Sequence, residues 1–186
     1  MLLNRLPRWV IVVAFIGVGA CGHLGVFEPA REVECFGRAR ISLKDAIAAA
    51  EMRGGRALDA DYRQDEELGC LRDTPGAYDI TLLAAGKIGV VSVDARSGQV
   101  GPRQEASVMD ALLESGRFEG SHAEMARIMP KMSKSISEAI DMAEAEGGKA
   151  MVAWIEAKTG KPGYTVKLVQ RGRVHVTWVD ASAASS

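Results

Sequence analysis

The chain repeats itself, and the repeat constrains its fold more than any other feature. Ser42-Leu43-Lys44-Asp45-Ala46-Ile47, closed by Gly54-Gly55, returns 93 residues later as Ser135-Ile136-Ser137-Glu138-Ala139-Ile140, closed by Gly147-Gly148. Tyr78-Asp79-Ile80-Thr81-Leu82, leading to Val93-Asp94-Ala95, returns 86 residues later as Tyr164-Thr165-Val166-Lys167-Leu168, leading to Val179-Asp180-Ala181. One supersecondary unit written twice predicts an architecture built twice.

Each copy opens with a helix start. Ser42 with Asp45, and Ser135 with Glu138, have the spacing of a capping box, in which the serine oxygen accepts a backbone N–H and the acid reaches back. Apolar residues follow at Leu43, Ala46, Ile47 and Ala50, and at Ile136, Ala139, Ile140 and Ala143, one stripe of an amphipathic helix. The Gly-Gly pairs stop both helices. The period then switches to two. Ala57 to Tyr62, Tyr78 to Leu82 and Ile88 to Val93 read as strands, as do Ala150 to Ile155, Tyr164 to Leu168 and Val174 to Val179. Gly86 and Gly172 fall where tight hairpins need positive φ. The expected fold is α+β: two tandem copies, each a helix plus about three antiparallel strands, joined by a helical connector.

The capped helix with its Gly-Gly stop, the tyrosine strand and the run Val93-Asp94-Ala95-Arg96-Ser97-Gly98-Gln99-Val100 resemble the PepSY domain, and the second copy carries the same parts through Val179-Asp180-Ala181. The second copy lacks the Ser97-Gly98 turn, so its last strand is expected to stop short. The resemblance implies a non-catalytic extracytoplasmic module that restrains a peptidase or binds another envelope protein.

The N-terminus reads as a targeting segment. Arg5 and Arg8 precede an apolar run from Trp9 to Gly17, which leads into Val18-Gly19-Ala20-Cys21. This resembles a lipobox, and makes Cys21 the expected lipidation site. An uncleaved membrane anchor and an ordinary cleaved signal peptide are the alternatives. All three put the rest of the chain outside the cytoplasm. Gly22, being no aspartate, suits outer-membrane sorting in a Gram-negative cell. The boundaries that follow are a signal peptide at 1–21, a tether at 22–40, repeat 1 at 41–101, a connector at 102–133 and repeat 2 at 134–186.

Beyond Cys21, the chain has only Cys35 and Cys70. In an oxidising compartment they can pair in one way only, and a disulfide is expected; two free buried thiols are the alternative. Neither belongs to a C-x-x-C motif. A net charge of −1 gives no case for nucleic acid.

Other candidates are weaker. His122, Met125 and Met129 could share a helix face and offer ligands to Cu(I), although methionine more often fills irregular cores. That would make the chain a metal or small-ligand carrier, the alternative function; no resident cofactor is expected. Asp59, Asp61, Asp65, Glu66 and Glu67 lack the spacing of a calcium loop and read as a solvated strand edge and loop. Asp94 and Asp180 end equivalent strands and read as turn-forming aspartates, and Tyr78 and Tyr164 as core residues. His175 alternates with Val174 and Val176. Trp154, Trp178 and His175 belong to the second copy alone. No enzyme motif is present, so the expected function is a membrane-tethered protein-interaction module, binding through the sheet faces or edges of its tandem copies, where exposed edges suit strand addition by an extended peptide.

Overall fold

A computed structural model describes residues 27–64, 76–105 and 128–182. Two helices, α1 (Phe27–Phe36) and α2 (Leu43–Glu51), precede the strands β1 (Arg56–Arg63), β2 (Ala77–Ala84), β3 (Lys87–Asp94) and β4 (Val100–Gln104). A short 3₁₀ turn at Met129–Lys131 leads to α3 (Ile136–Glu144) and then β5 (Lys149–Lys158), β6 (Lys161–Gln170) and β7 (Arg173–Asp180).

Both helices of the repeat form for the reasons the sequence gives. Ser42 Oγ accepts from Asp45 N and Ser135 Oγ from Glu138 N, while each acid's carboxylate accepts from its serine's backbone N–H. Leu43, Ala46, Ile47 and Ala50 are buried on α2, and Ile136, Ala139, Ile140 and Ala143 on α3. Ile47 and Ile140 are each fully enclosed, and burying such a side chain contributes roughly 1.5–3 kcal/mol. Gly54 and Gly55 leave α2 at φ of 95° and 120°, and Gly147 and Gly148 leave α3 at 101° and 109°. A Cβ on Gly55 would lie 2.9 Å from the Leu83 carbonyl oxygen, so glycine is required there on two counts.

The expectation of two tandem helix-plus-three-strand units is overturned. The seven strands form one antiparallel sheet in the order β4-β3-β2-β1-β5-β6-β7, and the fold is β-rich around that single sheet. The two copies meet at its middle, where β1 pairs with β5 through Asp59–Trp154, Ala60–Ala153 and Asp61–Val152. The physical reason lies in the edge that one copy alone would leave. A lone copy has a marginal core and an unpaired first strand. Joining the two first strands satisfies both edges and makes one core of both copies. The same pairing corrects the reading of Asp59 and Asp61, which sit on the central strand and not at an edge.

The copies are not identical. The first gains a fourth strand, β4, which the alternation alone did not reveal because Pro102 interrupts it. Proline is tolerated there because β4 is an edge strand. Helix α1 brings Cys35 and Phe36 into the core, where the Phe36 ring packs edge-on against Tyr62 at 5.2 Å, and Tyr62 against Tyr78 at 5.7 Å. No described helix is long and apolar enough to cross a membrane.

Candidate functional site

The residues that the copies share are committed to holding the fold. Tyr78 donates its hydroxyl to the carbonyl of Ile41 at 3.0 Å, and Tyr164 donates to that of Lys134 at 3.2 Å. Each acceptor immediately precedes a capping serine, so each tyrosine ties the entry of its helix to the sheet. Burial pushes all three tyrosine hydroxyls up, Tyr62 to about 12. Glu51 Oε1 accepts from Ala57 N at 2.9 Å and Glu144 Oε1 from Ala150 N at 2.7 Å, fixing the end of each helix to its first strand.

Asp94 and Asp180 hold turns. Asp94 Oδ1 accepts from Arg96 N, Ser97 N and Ser97 Oγ. Burial pushes its pKa up, but these bonds outweigh burial and hold it below the ordinary carboxylate value. Asp180 Oδ1 accepts from Ser182 Oγ and Ser182 N, which lower its pKa likewise. The two aspartates end β3 and β7, five strands apart in the sheet order, or about 24 Å at the usual strand spacing. They cannot act as an acid–base pair.

Cations cross between the copies. Arg56, the first residue of β1, donates to the Lys134 carbonyl at 3.2 Å, and Lys149, the first residue of β5, donates to the Ala39 carbonyl at 3.1 Å. Each copy thus supports the helix approach of the other. Lys149 also lies 4.9 Å above the Phe36 ring, and burial lowers its pKa. Lys44 and Asp141 join α2 to α3 at 2.6 Å.

Of the sequence candidates, Cys21, Cys70, His122 and Met125 lie outside the described residues, as do Asp65, Glu66 and Glu67. Cys35 is fully buried, its Sγ 3.2 Å from Gln64 Oε1. Met129 begins the 3₁₀ turn and packs, partly buried, against the core. Trp154 lies under the Lys167 ammonium, 5.7 Å from its ring centroid. The Trp178 indole lies over Gly163, where an added Cβ would come within 2.6 Å of it. His175 is exposed on β7.

Among the described residues, β4 and β7 are the outermost strands of the sheet. Val174 and Val176 are 41% and 58% exposed, unusual for large apolar side chains on a strand. Between β7 and α3 runs a groove of about 590 Å³, with Met142, Ala143 and Glu146 on one wall and Thr177, Val179 and Asp180 on the other. Sequence reasoning expected binding through sheet faces or edges. It did not identify β7, because which strand is outermost follows from the joining of β1 to β5.

No family model matches the chain, and no curated protein does. A solved structure described as that of a "putative lipoprotein" from Clostridium difficile 630 aligns with a TM-score of 0.34 and 10% identity, over 75% of this chain and 84% of that one.

Proposed function

We propose that the protein is a non-catalytic interaction module of the bacterial cell envelope, held to the membrane by lipid on Cys21 and binding another protein through the β7 edge. The position of β7 at the end of the sheet carries this reading, because an unpaired strand edge is a template for strand addition, and Val174 and Val176 leave apolar side chains exposed on the adjoining face of the sheet. The PepSY resemblance supports the same class and makes an envelope peptidase a candidate partner. The lipobox at Val18–Cys21 supports the anchor and an oxidising location. In that location Cys35 pairs with Cys70; Cys35 lies beside Gln64, where the chain enters the segment carrying Cys70.

Site-specific photocrosslinking in the native envelope tests the reading. A crosslinker replacing Val176 is expected to give one discrete protein adduct, and one replacing Met52, which is 83% exposed on α2's C-terminal side, none. Absence of any adduct from β7 would remove the binding function. The intact mass of the mature protein tests the anchor: an unmodified Cys21 would remove it.

A further inference from the structure

The first copy shows what the β7 edge of the second lacks. Residues of β3 and β7 correspond at a constant offset: Val90 with Val176, Val91 with Thr177, Val93 with Val179, Asp94 with Asp180. In the first copy this edge is covered. The Asp94 turn sends the chain back as β4, which pairs antiparallel with β3 through Val100–Val93, Arg103–Val91 and Gln104–Val90. Val100 packs against the core, and Arg103 donates to the carbonyls of Gly54 and Lys87 at 3.4 and 3.2 Å. One strand thus completes the sheet and reaches the stop of α2.

In the second copy the corresponding turn is built differently. Asp180 holds Ser182, and Ser182 bridges to Met132. Among the described residues no strand covers β7 and none fills the groove against α3. Two substitutions distinguish this groove from its counterpart. Glu146 stands where the first copy has Arg53, so the groove wall carries an acid in place of a base. His175 stands where the first copy has Gly89, over which the Arg103 side chain lies.

We infer that β7 and the α3 groove receive an extended segment of another protein, antiparallel to β7, with an apolar residue opposite Val179 and an arginine three residues further on, opposite Thr177. This rests on the binding function proposed above and names the chemistry of its partner. The backbone of the segment completes the sheet, its apolar side chain takes the place that Val100 fills in the first copy, and its arginine meets Glu146. His175 occupies the space that Arg103 uses over Gly89, which directs the incoming guanidinium toward α3.

A fluorescent peptide carrying residues 99–105, Gln-Val-Gly-Pro-Arg-Gln-Glu, is the probe, titrated into the full chain in detergent. Saturable binding is expected, with amide shifts confined to β7 and α3. Val176→Lys, which places a charge on the edge, should weaken it about tenfold or more, as should Glu146→Arg. A peptide with its arginine changed to glutamate should bind Glu146→Arg better than wild type. No binding to wild type, or binding to either variant as tight as to wild type, overturns the inference. So does concentration-dependent dimerisation abolished by Val176→Lys, since the occupant is then a second copy. An adduct from Val176 in the envelope together with failure of the peptide would leave the binding function standing and remove only this account of the partner.

Discussion

Ala60 of β1 pairs with Ala153 of β5, and the two are the same position of the repeat. Their neighbours pair crosswise: Asp59, equivalent to Val152, faces Trp154, and Asp61, equivalent to Trp154, faces Val152. A local twofold axis therefore passes between the two alanines. The copies are joined as a symmetric dimer would be, through one self-complementary edge. Both alanines are fully buried. Ala153→Leu is expected to destabilise the protein by about 1–3 kcal/mol through overpacking. Because the core is continuous, hydrogen exchange should show β2 and β6 losing protection together. Loss confined to β6 would mean that the halves are independent.

The two tyrosine ties differ in one respect that a pair of mutants can measure. The Lys134 carbonyl accepts from Arg56 as well as from Tyr164. Among the described residues, the Ile41 carbonyl accepts a side-chain bond from Tyr78. Tyr164→Phe leaves its acceptor with the guanidinium, whereas Tyr78→Phe strips a part-buried carbonyl. Chemical denaturation should give about 1–2 kcal/mol for Tyr78→Phe and a smaller loss for Tyr164→Phe. In an Arg56→Ala background the two losses should become similar. Equal losses in the wild-type background would show that Arg56 contributes nothing at that carbonyl.

The repeat made α2 and α3, their caps, their stops and six strands legible, because each rests on local chemistry: a serine three residues before an acid, a glycine at positive φ, an alternation of period two; α1 lies in the stretch read as a tether. What was not legible depends on pairing. Ala60 and Ala153 carry no local sign that they will meet, and the polar Asp59 and Asp61 suggest an edge when β1 is central. Strand β4 was hidden by Pro102, which only an edge position permits. The open groove at β7 was equally hidden, since it appears only when the Asp180 turn is set against the Asp94 turn. The shared residues, being the most recognisable, turned out to be structural, and the differences between copies mark where the proposed binding surface lies.

All three tyrosines of the chain, Tyr62, Tyr78 and Tyr164, are buried, and burial raises each pKa above its ordinary value of 10.0. A group whose pKa is raised by folding contributes stability that is complete below its unfolded value and is lost as pH rises through the folded one. Stability should therefore fall above pH about 10. Tyrosinate absorbance should rise late and in one cooperative step that coincides with loss of secondary structure. Gradual titration beginning near the ordinary value, with the fold intact, would contradict the burial.

At the other end of the scale, Asp45, Glu138 and Asp180 are lowered chiefly by hydrogen bonds from serines, and Asp94 is lowered by Ser97 despite burial. Their contribution is complete above the ordinary carboxylate range and is lost as pH falls through their lowered values. Acid should loosen the caps of α2 and α3 and the turns after β3 and β7 together. Ser42→Ala and Ser135→Ala should each cost about 1 kcal/mol at neutral pH. That cost should shrink on acidification, since the protonated acids no longer complete the box. A cost independent of pH would separate the serine bond from the carboxylate.

The hairpin turns offer a gain in stability. Ala85-Gly86, Thr159-Gly160 and Arg171-Gly172 all have positive φ at both positions, Thr159 at 51° and Gly160 at 77°. These are the dihedrals of a type I′ turn, which matches strand twist and favours Asn-Gly. Threonine is the poorest of the three first residues, because its β-branch crowds the left-handed conformation. Its hydroxyl is held by the Lys158 carbonyl at 2.7 Å, on an exposed site. Thr159→Asn is expected to stabilise the protein by about 1 kcal/mol, the order of cost of a strained backbone position. Ala85→Asn should gain less, because alanine has no branch to relieve. Paired thermal melts at one pH decide the order, and a larger gain at Ala85 than at Thr159 would show that backbone strain does not set these turns.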